Sequence, residues 1–231
     1  LICDYNVNFC NQCPDCITYG FAIGDSGSEK SKVITDTAYS LTDYTSSHEA
    51  FTLNAPFESG TMSRKGQVTS RINEADHVKP QVLFPTVITM RDVTAALFDY
   101  VLMNVIRTKH YGAQTTRTGS MHNHIIGIAL TDGEVFSNLR FCQALYDQLQ
   151  DSMNPASPID VNTAKARAEG IVPSLLSQDG ITQDQYLAGD SLATYLGSFQ
   201  QRLSDANQVK ELLQSAFDDS FAYYTAYINP P

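Results

Sequence analysis

The chain has 231 residues, of which 42% are hydrophobic and 17% charged, the balance of a globular protein with room for one large domain or a core carrying a subdomain. No apolar run reaches the roughly 18–20 residues that cross a bilayer, which excludes a helical membrane span, and no basic-then-apolar secretion signal opens the sequence. The formal net charge of −10 argues by itself against nucleic acid, but the charge is unevenly spread: eight basic residues against four acidic ones between Gly60 and Arg117, and four against ten from Asp151 onward.

Four of the five cysteines, Cys3, Cys10, Cys13 and Cys16, crowd the first sixteen residues with the spacing C-x6-C-x2-C-x2-C. Disulfides spread loops across a fold, whereas thiols this close together suit a metal and a reducing cytoplasm. Gaps of two residues turn neighbouring thiolates onto one ion, and four satisfy tetrahedral Zn2+. An iron–sulfur cluster would want a distant fourth cysteine followed by Pro, which is missing; free thiols or another fourth ligand remain the alternative. Gly24-Asp25-Ser26-Gly27-Ser28 brushes against the serine-protease motif, but every histidine follows Ser26 and the last glycine is replaced, so a flexible turn is expected.

Lys32 to Tyr39 and Phe51 to Phe57 read as short extended pieces. Ser59 to Pro80 has no apolar period and is rich in Gly, Ser, Arg and Lys; it predicts a long functional loop or splayed hairpin, punctuated by Arg64, Lys65, Arg71 and Lys79. Gln81 to Met90 is apolar and β-branched, a strand with Pro85 at an edge or bulge. Asp92 is placed to cap a helix running to about Thr108, with Val93, Ala96, Leu97, Tyr100, Val101, Asn104 and Val105 on its inner face. A polar loop from Lys109 to Gly119 leads to a strand over His122 to Leu130. After a turn at Thr131 to Glu134, Asn138 caps a helix through Gln150 that buries Leu139, Cys142, Leu145, Tyr146 and Leu149. Met153 to Pro158 is a linker, and helices follow over about 162–169, 192–202 and 208–224. The pattern predicts an α+β fold with a helical C-terminal portion.

The loop KHYGAQTTRTG is the most suggestive segment. Arg107, Lys109 and Arg117 offer charge to phosphates, and Gln114, Thr115 and Thr116 offer donors to phosphate or ribose oxygens. Tyr111 offers a face on which a base can stack, and Gly112 and Gly119 let backbone approach a polyanion. His122 and His124, two apart on the expected strand, share a face, where they would serve a structural role, contact RNA, bind a metal or act as an acid–base pair for RNA cleavage.

Three stretches resemble the RNA-binding backbone subunit of type I-D CRISPR effector complexes (Cascade), within the RAMP-like superfamily. They are FTLNAPFESGTMSRKGQVTSRINEADHVKPQVLFPTVITMRDVT, RTKHYGAQTTRTGSMHNHI and LTDGEVFSNL, with CPDCITYGFAIGDSGSEKS also similar. The resemblance covers about Cys13 to Leu149. It implies a ferredoxin-like core of the RNA-recognition-motif kind, with an inserted loop and zinc subdomain and a helical C-terminal portion. The corresponding parts are a cysteine-rich, metal-stapled 1–50, an RNA-contacting loop or hairpin at 51–80, a core half at 81–150 and a mainly helical 151–231. The opening strand of such a core is expected upstream of Leu1.

The resemblance further implies non-catalytic binding of guide CRISPR RNA, copies of the chain stacked head-to-tail into a helical filament, contact with other effector-complex subunits, and target DNA met through base pairing with the guide. Arg64, Lys65 and Arg71 fall in the inserted loop and Arg107, Tyr111, Gln114, Thr115, Thr116 and Arg117 on a second surface. The sequence lacks the aromatic signatures of typical RNA-recognition motifs, so phosphate gripping is the expected mechanism. A metal-independent CRISPR RNA-processing ribonuclease using His122 or His124, and a zinc-stapled scaffold for protein partners, are the competing readings.

Overall fold

The computed structural model describes residues 3, 9–23, 27–53, 63–64, 67–68, 73–111, 119–154, 157–179 and 185–230. In chain order the elements are α1 (Pro14–Tyr19), β1 (Phe21–Ala22), β2 (Ser28–Glu29), β3 (Val33–Thr35), α2 (Tyr44–Ser47), β4 (His48–Leu53), β5 (Ser63–Arg64), β6 (Gln67–Val68), β7 (Asn73–Val78), β8 (Ile88–Met90), α3 (Ala95–Arg107), β9 (Gly127–Leu130), α4 (Asn138–Leu149), α5 (Val161–Gln178), β10 (Gln185–Ala188), α6 (Gly189–Ser204) and α7 (Ala206–Tyr223). Among the described residues the strands pair only in twos, all antiparallel: β1 with β2, β3 with β8, β4 with β7, β5 with β6 and β9 with β10. The fold is mixed helix and small antiparallel sheet, as the α+β expectation requires. A four-stranded sheet of the ferredoxin kind is not among the described residues.

Two compact units divide the chain. The first comprises Leu1–Asp36, Val87–Val135 and Val172–Pro231, and α3 is its centre. Thr94 caps α3, its hydroxyl accepting from the Leu97 amide and donating to Asp219 of α7 at 2.5 Å. Asp92, the expected cap, instead has φ 54°, so it belongs to the turn before the helix. Leu102 and Met103 pack against Phe199 of α6 and Leu212 of α7, while Leu97 meets Ile17 of α1 and Ala216 of α7. Fully burying an aliphatic side chain of this size contributes about 1.5–3 kcal/mol, so these two clusters make α1, α3, α6 and α7 one cooperative body. Arg202 of α6 pairs with Asp99 of α3 at 3.0 Å.

The β8 strand is shorter than the apolar run that announces it. Gln81 has φ 67°, and Pro85 has no amide to give to a ladder, so only Ile88–Met90 pairs. The strand expected from His122 begins only at Gly127, for a reason found at the neck described below. β10 was not expected at all; Gln185 to Ala188 pair with Leu130 to Gly127.

The second unit comprises Thr37–Thr86 and Phe136–Ile171. Here Ser137, not Asn138, caps α4, accepting from the Arg140 amide. Asn138 turns inward and donates to the Thr37 carbonyl at 3.3 Å. The buried stripe of α4 is Phe141, Cys142, Leu145 and Leu149; Leu139 and Tyr146, expected inside, are exposed because at 3.6 residues per turn they fall beside that stripe. Cys142 is core, as expected, and burial pushes its thiol pKa up. The β4–β7 ladder runs from His48↔Val78 to Leu53↔Asn73, with the short β5–β6 pair between the two strands in sequence. Within the segment from Ser59 to Pro80, β5 and β6 thus pair with each other and β7 pairs back to β4. α5 continues through Pro173 to Gln178, well past the end expected at 169.

Candidate functional site

The cysteine cluster is built by a tight local turn. Asn11 adopts φ 63° and Cys13 caps α1, its sulfur 3.5 Å from the Cys16 amide. Pro14 opens the helix, where a missing amide costs nothing. The sulfur atoms of Cys3, Cys10, Cys13 and Cys16 all lie within 4.8 Å of one another; Cys3 to Cys16 is 3.5 Å and Cys10 to Cys16 is 4.0 Å. Tetrahedral zinc with Zn–S bonds of about 2.3 Å separates its sulfurs by roughly 3.8 Å, so the donor set fits such an ion in type, number and spacing. Burial pushes the Cys13 thiol up to about 11 and that of Cys16 higher still. At Cys10 burial acts the same way, but hydrogen bonds from the Gln12 and Cys13 backbone and the neighbouring thiols outweigh it, leaving the pKa below its ordinary value. Burial thus favours the neutral thiol at Cys13 and Cys16, a cost that a bound cation would offset.

This knuckle has a core of its own. Cys16 and Ile17 are buried, Asp15 accepts from the Tyr100 hydroxyl at 2.7 Å, and Tyr19 accepts from Asn104 at 2.9 Å. Gly20 ends α1 at φ 79°, and a Cβ there would stand 2.5 Å from the Glu29 carbonyl oxygen and 2.7 Å from the Ser31 amide. Lys32, itself buried, lies 4.2 Å from the centre of the Tyr223 ring, whose hydroxyl donates to Glu29 at 2.9 Å.

The second group of candidate residues gathers where α3 ends. Helix termini leave their last carbonyls without intrahelical partners. Thr108 answers one, giving both its amide and its hydroxyl to the Asn104 carbonyl at 2.9 and 2.7 Å. Asn123 answers another: its side-chain amide donates to the Val105 carbonyl at 2.6 Å and to the Thr108 carbonyl at 3.0 Å. The Met121 amide donates to the Lys109 carbonyl at 2.7 Å, so the chain returns to close a neck. Arg107, Lys109 and Tyr111 are all exposed there, the Tyr111 hydroxyl donating to Asn123 at 2.9 Å. Arg107 also donates to the Leu203 carbonyl in the last turn of α6 at 3.1 Å.

The use of Asn123 as a cap corrects the strand expected from His122. Residues 121–124 are bent onto α3 rather than laid along a sheet, and His122 and His124 stand exposed in an irregular segment, not on one strand face. Lys79 lies in the other unit; its ammonium donates to the Thr45 carbonyl at 3.2 Å and its amide to the Ser47 carbonyl at 2.8 Å, which fastens the end of β7 to α2. Arg64 is placed in β5 by its backbone. Lys65, Arg71, Gln114, Thr115, Thr116 and Arg117 lie outside the described residues. Asn123 was missed, although an Asn twelve residues past an exposed Tyr, between two histidines, is a capping residue type. No described helix is long and apolar enough to cross a membrane.

No curated protein matches the chain. A family model described as Csc2 Crispr matches residues 2–213. With a match over nearly its whole length, the chain belongs to the CRISPR-associated Csc2 family.

Proposed function

We propose that the chain is a non-catalytic RNA-binding subunit of a type I-D CRISPR effector complex, repeated along a guide RNA as its backbone in the cytoplasm. The observation that carries the RNA half of this reading is the shared exposure of Arg107, Lys109 and Tyr111 at the neck after α3, two cations and one aromatic face within five residues. Cations grip phosphates without reading sequence, and an exposed ring accepts any base, which suits a subunit that must cover arbitrary guides. The second RNA surface is assigned to the β4–β7 hairpin, whose sequence carries Arg64, Lys65 and Arg71. β8–α3–β9, with β3 beside β8 and β10 beside β9, is read as part of a core of the RNA-recognition-motif kind. Other copies of the chain, other effector subunits and target DNA paired to the guide are the remaining partners.

The four cysteines are proposed to hold a structural Zn2+, which when bound supplies folding free energy rather than chemistry. Fluorescence anisotropy with single-stranded RNA of unrelated sequences tests the main reading. Binding should vary little with sequence and fall steeply between about 50 and 200 mM salt, and the RNA should be recovered intact. Absence of binding, or cleavage of the RNA, would sink it.

A further inference from the structure

The neck contains a residue whose bonds point to a more specific role. Asn123 makes three side-chain hydrogen bonds, two donated to the Val105 and Thr108 carbonyls and one accepted from the Tyr111 hydroxyl. Only one orientation of the amide permits this, because the flipped one would set its oxygen against two carbonyl oxygens. The amide is thereby locked to the end of α3, a helix whose other end and inner face are fixed by Thr94, Leu97 and Leu102. Tyr111 is then held at its hydroxyl while 46% of the residue stays exposed. A ring tethered at its polar tip and open elsewhere has already lost the rotamer freedom that stacking would otherwise cost.

We infer that Asn123 is a positioning residue that presents the Tyr111 ring as a fixed platform for one nucleobase of a single strand. The inference rests on the RNA-binding reading and deepens it: the ledge after α3 meets bases as well as phosphates. Arg107 and Lys109, exposed on the same short stretch, would offer their charge to the sugar-phosphate chain of that strand.

The test compares two oligomers, an ordinary single-stranded RNA and the same ribose-phosphate chain without bases, against the full chain and its variants. Tyr111→Ala should weaken binding of the ordinary RNA by about five- to a hundred-fold, the range of one lost base–aromatic stack. Tyr111→Phe keeps the ring and the Asn123 caps but cuts the tether, and should weaken it by about two- to ten-fold. Asn123→Leu, which removes both donors and the acceptor at similar size and adds no charge, should do at least as much, and combined with Tyr111→Ala it should add nothing further.

On the abasic chain Tyr111→Phe and Asn123→Leu, neither of which changes the charge, should match the wild type. A 2-aminopurine in the RNA should be quenched by the wild type and less by Tyr111→Phe, and the chain has no tryptophan to confuse the signal. If Asn123→Leu does not fold, Tyr111→Phe decides alone. Equal affinity of Tyr111→Phe and wild type for ordinary RNA, or an equal loss on the abasic chain, overturns the inference while leaving RNA binding intact. A wild type that binds neither oligomer overturns the RNA-binding reading itself.

Discussion

The cysteine knuckle and the neck are both fastened to α3, by different means. The knuckle enters the core: Ile17 is fully buried against Leu97 and Ala216, and Cys16 beside it is nearly so. The neck stays on the surface and is held by the side chains of Thr108, Asn123 and Tyr111, each hydrogen bond contributing only about 0.5–1.5 kcal/mol. Changes in a buried segment are felt by the whole fold, whereas changes in a segment held by a few surface hydrogen bonds stay local. On the proposed function the knuckle would then serve stability and the neck would meet the ligand. Substitutions in the first should move melting and leave the affinity of the folded protein alone; substitutions in the second should do the reverse.

The largest effect belongs to Cys16. It is the most buried of the four thiols and its sulfur is nearest to that of Cys3. Cys16→Ser should abolish stoichiometric zinc and cost at least about 3 kcal/mol, seen as a melting temperature lower by roughly 6–12 °C. A chelator acting on the wild type should have the same sign. If the variant keeps both its metal and its melting point, the knuckle is not a metal staple. Gly20→Ala comes next and tests the turn without touching a thiol. It adds a left-handed strain to a Cβ overlapping the Glu29 carbonyl, for about 2–3 kcal/mol of lost stability at unchanged zinc content. A variant that melts like the wild type would show that the turn relaxes at no cost, and the contrast with the neck would weaken.

Sequence was a good guide wherever one physical signal dominated. The cysteine spacing named the four thiols that converge, and apolar periodicity located α3, α4, α6 and α7 to within a few residues. It failed where a side chain did something other than its usual duty. Asp92 lost the cap to Thr94 because the turn before α3 places it at positive φ, and Asn138 lost the other to Ser137 because its amide was wanted inside. His122 and His124 read as a strand because alternation cannot show that Asn123, between them, is engaged twelve and more residues back. The basic arm was visible as composition, but composition did not reveal that Lys79 is committed to the Thr45 carbonyl.

The smallest effect, and the one that most sharpens the contrast, concerns Arg107, which belongs to both categories. Its guanidinium donates to the Leu203 carbonyl at the end of α6, a favourable place for a cation, and it is also exposed beside Lys109. Arg107→Gln removes the charge and keeps a side chain able to donate. Because the site is exposed, the loss of stability should stay under about 1 kcal/mol. If Arg107 also holds a phosphate, the slope of log affinity against log salt should become shallower by about 0.7, the value for one phosphate contact on a single strand. Charge reversal would blur this, since a carboxylate would repel the α6 carbonyls as well as the RNA. An unchanged slope with a lowered melting point would assign Arg107 to the core's side of the comparison, leaving Lys109 as the described cation of the neck that remains available to RNA.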